Sequence, residues 1–265
     1  MDLQLAGKRA IVTGGSKGIG KAVARALSDE GVEVVIAARS PEPLADAAIE
    51  IQRASGTAVV PITVDTGDDD SVRAMVGEAA DRLGGIDILV NSAAKPLGQG
   101  APPKLADVTN ELFWDDMNTK VLGYLRCARE VAPLMTASGW GRIVNISGLG
   151  ARTTGAVIGS MRNVAVAALS KNLADELGPS GINVTVVHPG LTRTEATPGV
   201  IERIATGRGI SAEEAEATLS RNSIGRLVDA TEVADVVAFL CSPRAGSITG
   251  DAIACGGGQP GTIHY

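Results

Sequence analysis

Short runs of β-branched residues alternate along this chain with longer segments of helical period. That order constrains the fold most, because it builds repeated strand–helix–strand units on a parallel sheet. Strands are predicted at residues 9–13, 33–38, 58–63, 87–91, 141–147, 182–188 and 252–255. The helices between them carry one apolar stripe each: Ile19, Val23, Ala26 and Leu27 in the first, and Val233, Val236, Val237 and Leu240 in the last. Gly31 stops the first helix and Pro243 follows the last. No Ser/Pro-rich linker or internal repeat divides the chain, and its 265 residues, 45% hydrophobic, suit one α/β domain spanning 1–265. Residues 191–226, dense in Glu, Arg and Gly, interrupt the alternation and are predicted to form an inserted helical lid.

The segment Thr13-Gly14-Gly15-Ser16-Lys17-Gly18-Ile19-Gly20 follows the first strand and opens the first helix. A dinucleotide pyrophosphate needs bare backbone N–H groups and a helix N-terminus at that point, and glycines permit its close approach. Tight strand-to-helix turns also use glycine for purely conformational reasons, so the turn alone leaves both readings open.

Composition excludes several other classes. A net charge of -6 with no basic block, and 2% aromatic residues, leave little to bind nucleic acid. Cys127, Cys241 and Cys255 are odd in number and far apart, which speaks against a disulfide framework and a metal site and fits a reducing cytoplasm. No apolar run approaches the roughly 18 residues of a membrane span.

From residue 5 to about 258 the sequence resembles the short-chain dehydrogenase/reductase family, through the glycine turn, Asn91-Ser92-Ala93-Ala94 after the fourth strand, and Pro189-Gly190 after the sixth. The resemblance implies a Rossmann-type, doubly wound, parallel seven-stranded sheet with helices on both faces. It also implies a dinucleotide held by Gly14, Ser16, Lys17, Gly18, Ile19 and Gly20 at the pyrophosphate, and by Asp65 and Thr66 at the adenine. Asn91, Ala93 and Asn163 would line its middle, and Pro189, Gly190, Thr192 and Thr194 would hold the nicotinamide carboxamide. An NAD site places a carboxylate after the second strand, whereas a 2′-phosphate needs cations. This chain has Ala38 there, then Arg39, with Lys17 in the turn, so NADP(H) is expected over NAD(H); solvated surface charges are the alternative.

The family's carbonyl reductases protonate the substrate oxygen with a tyrosine whose pKa is depressed by a lysine one helical turn later. Counting back from the helix Leu169-Ser170-Lys171-Asn172-Leu173-Ala174-Asp175-Glu176-Leu177 puts Gly159 at the tyrosine and Asn163 at the lysine. Tyrosine occurs only at Tyr124 and Tyr265, so no shift of register restores the pair. The family's active serine position falls at Gly148 with Ser147 beside it, and Asn118 matches the active-site asparagine. Asn163 keeps a donor and an acceptor but no charge. The catalytic candidates are therefore Asn118, Ser147, Asn163 and His188, the last because it titrates in the right range, with a neutral core histidine as its alternative. Lys95, Arg152 and Arg162 are further candidates against a surface reading, and His264 and Tyr265 at the tail against a frayed end.

Residues 112–135 and 160–177 read as helices apolar around much of their circumference, including Val164, Ala165, Val166, Ala167, Ala168 and Leu169, so one face would be left needing a partner, and the family resemblance implies a homotetramer or homodimer. The expected activity is NADP-dependent oxidoreduction of a small carbonyl or quinone-like substrate that needs little help from a strong protein acid. A nucleotide-binding pseudoenzyme, or a non-redox lyase or cyclase on the same fold, is the alternative.

Overall fold

The structure is a computed structural model, and it describes residues 1–94 and 102–260. Lys95, His264 and Tyr265 lie outside the described residues.

Seven parallel strands form the main sheet: β1 (Arg9–Thr13), β2 (Glu33–Ala38), β3 (Val59–Thr63), β4 (Ile88–Asn91), β5 (Gly141–Ile146), β6 (Ile182–Pro189) and, last in the chain, β9 (Ala252–Cys255). Their order is β3-β2-β1-β4-β5-β6-β9. The order reverses between β1 and β4, where a crevice opens at the carboxyl ends of the strands. The pairing register aligns Ala37, Thr13, Asn91 and Asn145 in one row across four strands, so the polar residues that end β1 and β4 and the penultimate residue of β5 lie side by side at the crevice.

Helices cover both faces because the strands are apolar on both. On one side Val12, Ile36, Val90 and Val144 pack against α1 (Gly18–Asp29), α2 (Pro41–Ser55) and α9 (Ala230–Cys241). On the other, Ile11, Val35, Leu89 and Ile143 pack against α3 (Asp69–Leu83), α5 (Gly123–Ser138) and α6 (Val157–Leu177). Each such side chain, fully buried, contributes about 1.5–3 kcal/mol. Asp68 caps α3 by accepting from the Ser71 N–H at 2.7 Å.

The strands predicted at 58–63, 87–91 and 141–147 each prove one residue shorter, and the one at 182–188 extends through Pro189. The helix predicted over 112–135 is not one regular α-helix. α4 (Asn110–Met117) passes into a π-helical turn, Asn118–Leu122, before α5 begins. Such a turn inserts an extra residue and rotates the side chains that follow, which apolar periodicity does not reveal. The lid region holds α7 (Thr197–Arg208) and α8 (Ala212–Leu219). Two short strands missed by the sequence reading, β7 (Thr192–Arg193) and β8 (Val228–Asp229), pair in parallel and tie its two ends together. Among the described residues no helix is long and apolar enough to cross a membrane.

Candidate active site

The glycine turn lies against the turn after β4. The Thr13 hydroxyl oxygen accepts from the Ser92 and Ala93 N–H groups at 3.2 and 3.3 Å. Gly14 has φ +70, and a Cβ there would stand 2.8 Å from the Ser92 carbonyl oxygen. A Cβ on Gly20 would collide with the Gly14 carbonyl oxygen, so the first turn of α1 packs on the loop only without one. The result is a cradle of bare backbone at a helix N-terminus, which fits a dinucleotide pyrophosphate. Part of it is engaged by the lid: the Gly18 N–H donates to the Glu195 carboxylate at 2.9 Å, and Thr194 Cγ2 lies 3.5 Å from the position a Gly18 Cβ would take.

Around the cradle, Lys17 and Arg39 are exposed, Ser16 and Ile19 are half-buried, and Asp65 is exposed at the end of the β3 loop. Asp65 accepts from the Gly67 N–H at 2.9 Å, while buried Thr66 donates to the Thr119 carbonyl at 3.1 Å. Buried Asn91 donates to Asn145, which donates to Ser170, each at 2.9 Å. Asn91 Oδ1 is buried with no partner among the described residues, an acceptor still open at the crevice floor. The Thr192 hydroxyl donates to the Gly190 carbonyl at 3.1 Å, holding the loop after β6.

The catalytic candidates separate into two places. Ser147 and Asn163 come together: the Ser147 hydroxyl donates to the Asn163 backbone carbonyl at 3.0 Å. His188 is buried one strand away, its Nδ1 accepting from the Gly148 N–H at 3.4 Å. Asn118 faces elsewhere. Its Nδ2 donates to the Gly67 carbonyl at 3.1 Å, and its own carbonyl accepts from Arg126 at 3.3 Å. In this conformation Asn118 ties the β3 loop to the π turn.

Half-buried Arg152 and buried Arg162 both have partners within the chain. Arg152 donates to the Ala252 carbonyl at 3.1 Å, and Arg162 is buried with Nη1 at 2.7 and 2.8 Å from the two Asp116 carboxylate oxygens. At position 159 a Cβ would meet, among the described residues outside the local helix backbone, Ala156 Cβ at 3.3 Å, so the glycine leaves room beside this turn of α6.

The residue the sequence reading missed is Lys120. It lies within the π turn with its side chain inward, where Nζ donates to the Ser147 carbonyl at 2.9 Å and to Asn163 Oδ1 at 3.4 Å. Burial, with the Arg162 guanidinium beside it, lowers its pKa from 10.5 to about 7, against the opposing pull of Asp116. A signal existed: Lys120 heads the stripe Tyr124, Cys127, Ala128, Val131 and Met135, all buried and at helical spacing, where a lysine is out of place.

A parallel sheet that reverses between β1 and β4, with a glycine cradle and an open asparagine at the reversal, defines a dinucleotide-binding enzyme of the doubly wound class. Comparison with known proteins narrows this. Residues 14–259 match the family profile described as Enoyl-(Acyl carrier protein) reductase. The chain is 34% identical over 264 residues to dehydrogenase/reductase SDR family member 4 of Oryctolagus cuniculus, covering 98% of this chain and 96% of the relative. It is 32% identical over 267 residues to a 3-oxoacyl-(acyl-carrier-protein) reductase of Vibrio cholerae, covering 97% and 99%. The crystal structure of L-sorbose reductase from Gluconobacter frateurii, complexed with NADPH and L-sorbose, superposes with a TM-score of 0.93 at 30% identity, covering 99% of this chain and 100% of that one. The chain belongs to the short-chain dehydrogenase/reductase family, and it is an NAD(P)-dependent oxidoreductase of that type.

Proposed function

We propose that this chain is an NADP(H)-dependent oxidoreductase acting on a small carbonyl or quinone-like substrate, with Gly159 and Asn163 where the family carries its tyrosine and lysine. The bare-backbone cradle from Gly14 to Gly20 carries the reading, because bare N–H groups at a helix N-terminus serve an anionic ligand and a side chain there would fill the space. Gly14, Ser16, Lys17, Gly18, Ile19 and Gly20 would hold the pyrophosphate, and Asp65 and Thr66 the adenine. Asn91, Ala93 and Asn163 would hold the middle, and Pro189, Gly190, Thr192 and Thr194 the carboxamide. Exposed Arg39 and Lys17 would meet the 2′-phosphate. Two solved neighbours, L-sorbose reductase and actinorhodin polyketide ketoreductase, carry NADPH, which supports the same preference.

When bound, the nicotinamide supplies hydride to a carbonyl carbon. The chain's part is to orient the acceptor, exclude water and stabilise the resulting oxyanion. Gly159 removes the usual acid, and the Ser147 hydroxyl and His188 Nδ1 are both engaged with backbone. General acid catalysis contributes roughly 10²- to 10⁴-fold, so simple ketones should turn over slowly. Quinones and conjugated carbonyls fit better because hydride arrival leaves a weakly basic oxygen. The exposed Leu125, Leu134, Met161 and Val164 on α5 and α6 support a homodimer or homotetramer.

The test is consumption of NADPH, followed by its absorbance, across a panel of ketones, enones and quinones. Faster turnover of quinones and enones than of simple ketones is expected. A second reading, a nucleotide binder without turnover, is favoured by the Glu195 carboxylate on the Gly18 N–H. It would be upheld by NADPH binding with no consumption across the panel.

A further inference from the structure

A lysine buried without a carboxylate contact is costly, and proteins rarely keep one unless its charge is used. Lys120 is 4% exposed, and both of its hydrogen-bond acceptors are uncharged oxygens, those of Ser147 and Asn163. Asp116 is the carboxylate that favours its charged form, and that group is held by Arg162. Among the described residues the charged groups that act on it are Asp116 from α4 and Arg162 from α6, and the titratable side chains bonded to the same end of β5 are Tyr124 from α5 and His188 from β6. The Tyr124 hydroxyl is fixed on the Ile146 carbonyl at 3.0 Å, with its pKa driven upward by burial. His188 lies beneath Gly148.

The contact with Asn163 has a directional consequence. An ammonium has donors only, so the amide must present Oδ1 to it and turn Nδ2 the other way. Nδ2 then faces the turn after β5: a Cβ on Gly148 would stand 3.1 Å from it, and one on Gly150 3.0 Å. Glycine at both positions leaves that amide edge uncovered.

We propose that Lys120 is a positioning residue that supplies, from the neighbouring helix, the positive charge that position 163 does not carry, and fixes the Asn163 amide with its donor end toward the Gly148–Gly150 turn. What that donor meets, a ribose hydroxyl or a substrate oxygen, rests on the proposed function; the charge and the amide orientation do not.

The test is a charge-exchange cycle with Lys120→Met, Asn163→Lys and the double variant, read by thermal unfolding and by NADPH affinity. Asn163→Lys alone places a second ammonium beside Lys120 and Arg162, and its melting temperature should fall by about 5 °C or more. The double variant should recover most of that fall, because the pocket again holds one ammonium. Lys120→Met should weaken NADPH by about tenfold at neutral pH and flatten the pH dependence of its affinity, with recovery in the double variant. Losses in melting temperature that simply add in the double variant would overturn the proposal, since two residues that share one charge site must couple. If Lys120→Met does not fold, NMR of lysine-labelled wild-type protein gives the answer: one resonance titrating near neutrality and shifting with NADPH supports the proposal. All lysines titrating together above about pH 10 overturn it. Absence of NADPH binding to the wild type would sink the proposed function while leaving the stability cycle to judge Lys120.

Discussion

Lys120→Met turns the buried ammonium into a measurement of stability. Folding carries this group from water, where its pKa is 10.5, into a pocket where burial and Arg162 lower it to about 7. Between those two values the unfolded chain binds the proton and the folded chain, without coenzyme, largely does not, so stability rises as pH climbs through the interval. At about 1.36 kcal/mol per unit the whole interval amounts to roughly 5 kcal/mol, of which about 2 kcal/mol falls between about pH 7 and pH 9. The buried thiols of Cys127 and Cys241, both pushed up to about 12 from 9.0 by burial, act with the opposite sign above about pH 9. There the unfolded chain loses protons that the folded chain keeps. Both thiols remain in the variant and cancel in the difference. Urea unfolding of both proteins at several pH values is the assay: the wild type should gain about 2 kcal/mol relative to Lys120→Met from about pH 7 to pH 9. Parallel stability curves would refute a depressed, buried ammonium.

Four other perturbations follow from the same geometry. Glu195→Ala removes the carboxylate on the Gly18 N–H and should tighten NADPH by up to about tenfold in a fluorescence titration, the scale of one charge-assisted hydrogen bond; unchanged affinity would mean that Glu195 does not compete. Gly20→Ala sets a Cβ against the Gly14 carbonyl and should lower the melting temperature and abolish dinucleotide binding together. Asp116→Asn leaves the buried Arg162 guanidinium without its counterion and should cost about 3 kcal/mol in denaturant unfolding. Gly159→Tyr with Asn163→Lys should create ketone reductase activity only when Lys120→Met is added, because two ammoniums otherwise crowd the pocket; equal activity with and without the third change would contradict this.

Much of the fold is legible because its signals are local. Alternating β-branched runs and apolar helical stripes locate all seven strands of the main sheet, and residues such as Gly31 and Pro243 punctuate the helices. The polar row of Thr13, Asn91 and Asn145 follows from strand ends lying side by side in a parallel sheet. Side-chain direction was less accessible. Asn118 reads as an active-site group by its place in the chain, yet its amide is spent on the Gly67 carbonyl. Arg152 and Arg162 stand near the catalytic candidates in sequence, yet they are committed to the Ala252 carbonyl and to Asp116. The apolar period does mark Lys120 as inward, four residues before Tyr124, and it goes unread because an exposed helical lysine is the common case. The two-residue strands β7 and β8 are too short to show any period.

Calorimetric titration of the whole chain with NADPH and with NADH addresses the central claim most directly. A single site of one dinucleotide per chain is expected, with NADPH bound at least about tenfold more tightly than NADH because of Arg39 and Lys17. Absence of binding heat with both dinucleotides, supported by no displacement of a fluorescent nucleotide analogue, would contradict the claim that the Gly14 to Gly20 cradle is a coenzyme site.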